Sequence, residues 1–108
     1  MTPSIHLREA ITEADWAAVQ AVRTRVFIEE QGCAPEEEWD AADAAEARGR
    51  TVHHLLASEA GVPVGVARWR LVGDTVKLER FAVVPEARGR GLARALVAHA
   101  LDAARAAG

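Results

Sequence analysis

Two glycines spaced one residue apart, in Arg88-Gly89-Arg90-Gly91-Leu92-Ala93, mark the stretch of this 108-residue chain best suited to chemistry. They follow an extended run, Lys77-Leu78-Glu79-Arg80-Phe81-Ala82-Val83-Val84, stopped by Pro85, and they open an apolar-periodic run from about Leu92 to Ala107. Strand, glycine turn and helix in that order build an anion cradle. Glycine lets the backbone come close to a ligand, and the free N–H groups of a helix's first turn point outward with their dipole. The guest this suggests is the pyrophosphate of a coenzyme. Two phosphate-binding patterns fail on the residues present. A P-loop needs Gly-Lys-Ser/Thr where the chain has Gly91-Leu92-Ala93. A dinucleotide fingerprint needs a third glycine where Arg94 stands, and an acidic residue about 20 residues on, a distance the chain does not reach.

A third pattern, Arg/Gln-x-x-Gly-x-Gly/Ala, is met by Arg88 to Ala93. With the preceding Leu78 to Pro85 it closely resembles the acetyl-CoA-binding segment of the GNAT (Gcn5-related N-acetyltransferase) superfamily. Upstream, Arg23-Thr24-Arg25-Val26-Phe27-Ile28-Glu29-Glu30-Gln31, then Cys33, Pro35, Glu38, Asp40 and Asp43, resembles the bacterial branch that includes ElaA-like and YjcF-like proteins. The resemblance implies an α/β (α+β) fold: a mixed, largely antiparallel sheet flanked by helices, in the order β-α-α-β-β-β-α. Residues 1–108 would form one such domain, lacking the C-terminal strands. It also implies transfer of an acetyl group from acetyl-CoA to a primary amine of a small molecule or peptide, by direct attack and without a metal.

The resemblance assigns coenzyme binding to Arg88, Gly89, Arg90, Gly91, Leu92, Ala93 and Arg94. Phe81, Ala82 and Val83 would run along the pantetheine arm and present an N–H to the thioester oxygen. An N–H aimed at a carbonyl that becomes an oxyanion stabilises the transition state. A lysine-like amine, with a pKa of about 10.4, arrives mostly protonated at neutral pH, so a base helps. Glu79 is the candidate, two residues before Phe81; the competing reading is a cross-strand ion pair with Arg68. Acceptor-binding candidates are Glu29, Glu30, Gln31 and Arg68, with Glu38, Asp40 and Asp43 as further acids. The alternative for these acids is a solvated charge run. His53 and His54 face opposite ways in a strand and lack metal-ligand spacing. Cys33 has no base partner nearby in sequence to make it a nucleophile. Many members of the family carry a general-acid tyrosine in the missing C-terminal part, and this chain has no tyrosine. The coenzyme strand is then a bare edge that invites a second copy. Two rival readings stay open: a non-catalytic acyl-CoA-binding or regulatory module, and an inactive fragment that associates through that edge.

Composition narrows the partners. A net charge of -3 argues against nucleic acid, which wants a basic surface. No apolar run approaches the roughly 18 residues of a membrane span, and no charged-then-apolar leader opens the chain. The single cysteine fits a reducing, cytoplasmic setting.

The elements that position these residues follow from pattern. Ser4 to Ile11 is expected as a strand with Ile5, Leu7 and Ile11 on one face. Thr12, with Asp15 three residues on, caps a helix whose stripe is Trp16, Val19, Val22 and Val26, continuing to Gln31 and ended by Gly32. Cys33 to Arg50 reads as an acidic loop with a helical turn. Thr51 to Ser58 and Val64 to Val72 read as strands joined at Gly61-Val62-Pro63. Gly73-Asp74 is a hairpin signal. If that turn is tight, Arg68 lies opposite Glu79, Trp69 opposite Leu78 and Arg70 opposite Lys77. The same register puts Ala82 on the Trp69 face, and Val66 with Phe81 and Val83 on the other.

Overall fold

The structure, a computed structural model, describes residues 5–107. Ser4 and Gly108, expected to open the first strand and close the last helix, lie outside that range. Four strands, β1 (Ile5–Glu9), β2 (Val52–Glu59), β3 (Val62–Val72) and β4 (Thr75–Val83), form one sheet in the order β1-β2-β3-β4. All three pairings are antiparallel. Helix α1 (Glu13–Arg23) continues into π-helical turns over Thr24–Glu30; α2 (Pro35–Glu38) is a single turn, and α3 (Leu92–Ala107) closes the order. Among the described residues no helix is long and apolar enough to cross a membrane.

β1 stops earlier than its alternation suggests. Asp15 accepts from the N–H of both Ile11 and Thr12, at 3.0 and 3.2 Å, while its own N–H donates to Thr12 Oγ1 at 3.0 Å. The capping box thus takes Ile11 out of the sheet and leaves it 80% exposed. After Arg23 the helix widens, with the Gln31 N–H reaching Val26 C=O, before Gly32 ends it at φ +75°. The β2–β3 connection is the tight Ala60-Gly61 turn, both residues at positive φ, so Val62 and Pro63 belong to β3 rather than to the turn. Two-residue turns of this hand match the twist of the strands. Pro63 is tolerated because it falls at a bulge in the β2–β3 pairing.

The two faces of β3 are divided between the helices. Gly65 is on the α3 face, where a Cβ would stand 3.2 Å from Leu96 and 3.4 Å from Leu92, so glycine there lets the helix sit close. Leu92, Leu96, Ala100 and Ala104 form the buried stripe of α3. On the opposite face, Val19, Val22 and Val26 pack toward the sheet, and Trp16 meets His54 edge-on at 4.8 Å between ring centres. Each fully buried leucine contributes about 1.5–3 kcal/mol.

The acidic run is not solvated where it matters. Arg23 and Arg68 are each 1% exposed, Glu38 3% and Asp43 8%. Arg23 donates to Glu38 Oε1 at 2.7 Å, to Asp43 Oδ1 at 2.6 Å and to the Glu38 carbonyl at 3.0 Å. Arg68 reaches Asp43 Oδ1 at 3.0 Å and Asp40 Oδ1 at 2.9 Å. With Arg70, Arg80 and Glu79, four guanidiniums (Arg23, Arg68, Arg70, Arg80) meet four carboxylates (Glu38, Asp40, Asp43, Glu79). Equal numbers of opposite charges let the group be buried.

His54 sits beside this network with Nε2 lacking a hydrogen-bond partner, 3.8 Å from Asp43 Oδ1. Burial pushes its pKa down to about 4; Asp43 opposes this, and Arg23, Arg68 and Arg48 add to it. Between pH 6.5 and 4 the unfolded chain therefore binds a proton that the folded chain refuses, so stability falls as pH drops through that window, by on the order of 3 kcal/mol. Burial would raise the pKa of Asp43, but the hydrogen bonds from Arg23 and the Asp40 N–H, together with the Arg23 and Arg68 charges, hold it at about 2, so it adds its own loss only further down. Urea midpoints at pH 7 and pH 4.5 should fall for the native chain and stay nearly level for His54→Leu. Parallel slopes would remove His54 from the account.

Candidate coenzyme site

Arg80 decides where the end of β4 points. It has φ +57°, left-handed for a residue with a Cβ, at a cost of about 1–2 kcal/mol. Its side chain is held by the network: Nη2 donates to the Glu38 carbonyl at 3.2 Å and stands 3.5 Å from Asp40 Oδ2. The hairpin register runs as the tight Gly73-Asp74 turn requires through Arg68 opposite Glu79, then shifts by one. Beyond the bulge Val66 lies opposite Ala82, and Gly65 opposite Val83. The faces expected for Ala82 and Val83 are thereby inverted, because one extra residue on β4 turns every β4 side chain after it, while Val66 of β3 keeps the Arg68 face and gains Ala82 as its partner. The outer edge of β4 carries no strand among the described residues.

The turn forms as its glycines demand. Gly89 and Gly91 have φ of +82° and +76°. The Gly91 carbonyl accepts from the Ala95 N–H at 3.0 Å, so α3 starts at the next residue. The N–H groups of Gly89, Arg90 and Gly91 donate to no backbone carbonyl among the described residues. Those of Leu92, Ala93 and Arg94 lie in the first turn, where no intrahelical acceptor exists. Six amides are thus offered around one bend.

Beside this bend runs a groove of two hollows. One, of about 120 Å³, is lined by Val83, Ala87, Arg88, Gly89, Gly91, Leu92 and Ala93. The next, of about 310 Å³, is lined by Val26, Gln31, Phe81, Ala82, Val83, Arg88 and Ala93. They share Val83, Arg88 and Ala93, so the groove leads from the glycine turn along the end of β4. Two larger hollows, of about 430 and 440 Å³, lie at the β1–α1 junction and beside the β3–β4 hairpin; neither includes the amide-rich turn.

Most of the other candidates fall outside the groove. Arg90 and Arg94 line neither hollow, and Arg90 Nη2 donates to Glu59 of β2 at 3.1 Å. Gln31 does line the groove, Glu30 holds Arg88, and Glu29 does neither. Arg68, expected to meet an acceptor, is buried with its guanidinium taken up by Asp40, Asp43 and Glu79, which leaves it nothing to offer one. Val26, whose place in the helical stripe points to the core, also walls the groove. Among the described residues no three His, Cys, Asp or Glu side chains gather to hold a metal.

Glu79 accepts on Oε1 from Arg70 Nε at 2.6 Å and from Arg68 Nη2 and Nε at 2.9 and 3.2 Å. Burial would raise its pKa, but the hydrogen bonds from Arg70 and Arg68 outweigh that and hold the carboxyl below its usual range. A general base works best with a pKa near the operating pH. The geometry favours the ion pair.

A family model described as the acetyltransferase (GNAT) family matches residues 12–108. This chain belongs to the GNAT family. Over 97 residues it is 37% identical to a Bacillus subtilis (strain 168) protein that carries an acetyltransferase name, covering 86% of the chain and 61% of that protein. YjcF of the same organism, an uncharacterized N-acetyltransferase by name, is 33% identical over 87 residues, covering 81% of the chain and 57% of YjcF. The resemblance to the YjcF-like branch is borne out. A GNAT acetyltransferase from Brucella melitensis, solved in complex with acetyl-CoA, superposes with a TM-score of 0.74 at 25% identity, covering 97% of this GNAT chain and 71% of the other. The four strands and their helices are those of the GNAT fold. The chain spans about three fifths of the length of the curated relatives it matches.

Proposed function

We propose that this GNAT chain binds acetyl-CoA, or a related acyl-CoA, along the groove from Gly89 to Phe81 and supports acyl transfer to a primary amine. The observation that carries the reading is the lining of the two joined hollows: the glycine turn on one side, Phe81, Ala82 and Val83 on the other. The amides of residues 89–94 would hold the diphosphate, being unpaired donors with the dipole of α3 behind them. The N–H groups at the end of β4 are the chain's own donors for a thioester oxygen, and the bulge at Arg80 aims them. The bound thioester supplies an acyl carbon activated toward attack. The amine nitrogen forms the new C–N bond as the C–S bond breaks; the sulfur leaves as thiolate and the amine proton passes to water.

In this reading Glu79 is a positioning residue that fixes Arg68 and Arg70 against β4. The Bacillus relatives named as acetyltransferases and the acetyl-CoA complex of the Brucella neighbour support the choice of coenzyme. The second reading, a module that binds acyl-CoA without turnover, is favoured by the absence of a raised-pKa carboxylate at Glu79.

Calorimetry with acetyl-CoA should show saturable, one-to-one binding, and free-thiol release with a panel of amines then separates enzyme from binding module. Glu79→Gln should leave the shape of the pH–rate profile intact. Loss of its acidic limb would restore Glu79 as the base, and no heat with acetyl-CoA would end the proposal.

A further inference from the structure

Two forked ion pairs tie the π-helical turns to the loop that carries the glycines. Arg25 donates to both oxygens of Glu86, at 2.6 Å each. Arg88 donates to Glu30 Oε2 at 2.8 Å and Oε1 at 2.5 Å. Arg88 has a third engagement: its Nε donates to the Val83 carbonyl at 2.8 Å. Val83 is the last residue of β4, and both hollows of the groove count Val83 and Arg88 in their walls. The side chain therefore lies across the groove at the point where its two halves meet.

We propose that Arg88 is a latch across the coenzyme groove, held shut by Glu30 and opened when a diphosphate takes the guanidinium from it. The proposal rests on the coenzyme reading above. A guanidinium fork fits carboxylate and phosphate oxygens in the same bidentate way, so the two compete for one partner. Glu30 is partly exposed, and water can take its carboxylate on release. Opening also frees the Val83 carbonyl, an acceptor on the open strand edge that an amide N–H of an extended ligand can use. Glu30, once released, stays as a negative charge beside an anionic guest, so neutralising it should help binding twice over. The other pairs lack this arrangement. Arg90 and Glu59 line neither hollow, and neither do Arg25 and Glu86. The Arg25–Glu86 pair is the matched control, being exposed, forked and on the same loop.

The test measures CoA affinity and association rate for the native chain, Glu30→Gln, Glu86→Gln, Arg88→Lys and the Arg88→Lys/Glu30→Gln double variant, by calorimetry and stopped flow. Glu30→Gln should bind about three- to fivefold more tightly, most of the gain in the association rate, while Glu86→Gln changes affinity by less than about 1.5-fold. On the Arg88→Lys background, where no fork can form, the Glu30→Gln gain should shrink to below about 1.5-fold, the part owed to its charge alone. Equal gains from Glu30→Gln and Glu86→Gln would reduce Glu30 to general charge and overturn the latch, as would weaker binding by Glu30→Gln. Absence of CoA binding by the native chain overturns the coenzyme reading itself, and it is seen before any variant is compared.

Discussion

Replacing Arg23 by methionine should cost the fold about 3–5 kcal/mol, the largest loss expected from any single polar substitution in the chain. The methionine keeps most of the volume and some of the packing on Trp39, whose ring the guanidinium covers at 4.4 Å. It keeps none of the donors. Glu38 and Asp43 would stay buried, with only Arg80 at 3.5 Å and Arg68 at 3.0 Å respectively left to balance them. Removing one partner from a buried set is costly because the other charges remain desolvated. A domain of this size has roughly 5–15 kcal/mol in total, so thermal unfolding should come roughly 15 °C earlier or more. Arg23→Lys should recover only part of the loss, since an ammonium cannot bridge two carboxylates and a carbonyl in one plane. A shift below about 4 °C for the methionine variant would mean the network is solvated in solution.

Gly91→Val should lower acetyl-CoA affinity at least about tenfold, close to 1.4 kcal/mol, with a moderate loss of stability. Among the described residues, chain neighbours aside, nothing stands within 4 Å of a Cβ at Gly91, so no clash drives the effect. The cause is φ +76°, which a β-branched residue adopts at a cost of about 1–3 kcal/mol. The turn would relax toward ordinary dihedrals, and amides 89–94 would no longer face one point. Gly73→Val is the control. It carries similar strain at φ +62° with equal open space, but it sits at the hairpin, away from the groove. Similar melting losses with a Kd raised only in Gly91→Val fit the site. Native-like binding by Gly91→Val would remove the turn from it.

How much of this was legible in the residues depended on distance along the chain. The Thr12–Asp15 capping box, the Gly73-Asp74 hairpin and the Gly89–Gly91 turn all formed where the pattern put them. Each is a signal whose donor, acceptor or dihedral lies within four residues of its partner. The hairpin even predicted Arg68 opposite Glu79, since a tight turn sets the register by counting. The count broke at Arg80, a residue with no intrinsic liking for positive φ, because Glu38 and Asp40, some forty positions earlier, hold its side chain.

The amino-acid order alone therefore determined the strand, the glycine turn and the helix that follows it, and with them the family. Only the tertiary structure decided that Glu38 and Asp43 of the acidic stretch are interior, that Arg68 belongs to a buried network, and that Arg88 pairs with Glu30, 58 residues away. Local patterns are read from backbone dihedrals and hydrogen bonds between near neighbours, which the chain satisfies wherever it folds. Charges so far apart have no spacing rule, and whether they meet in water or in the core is settled by which surfaces the packed elements bring together.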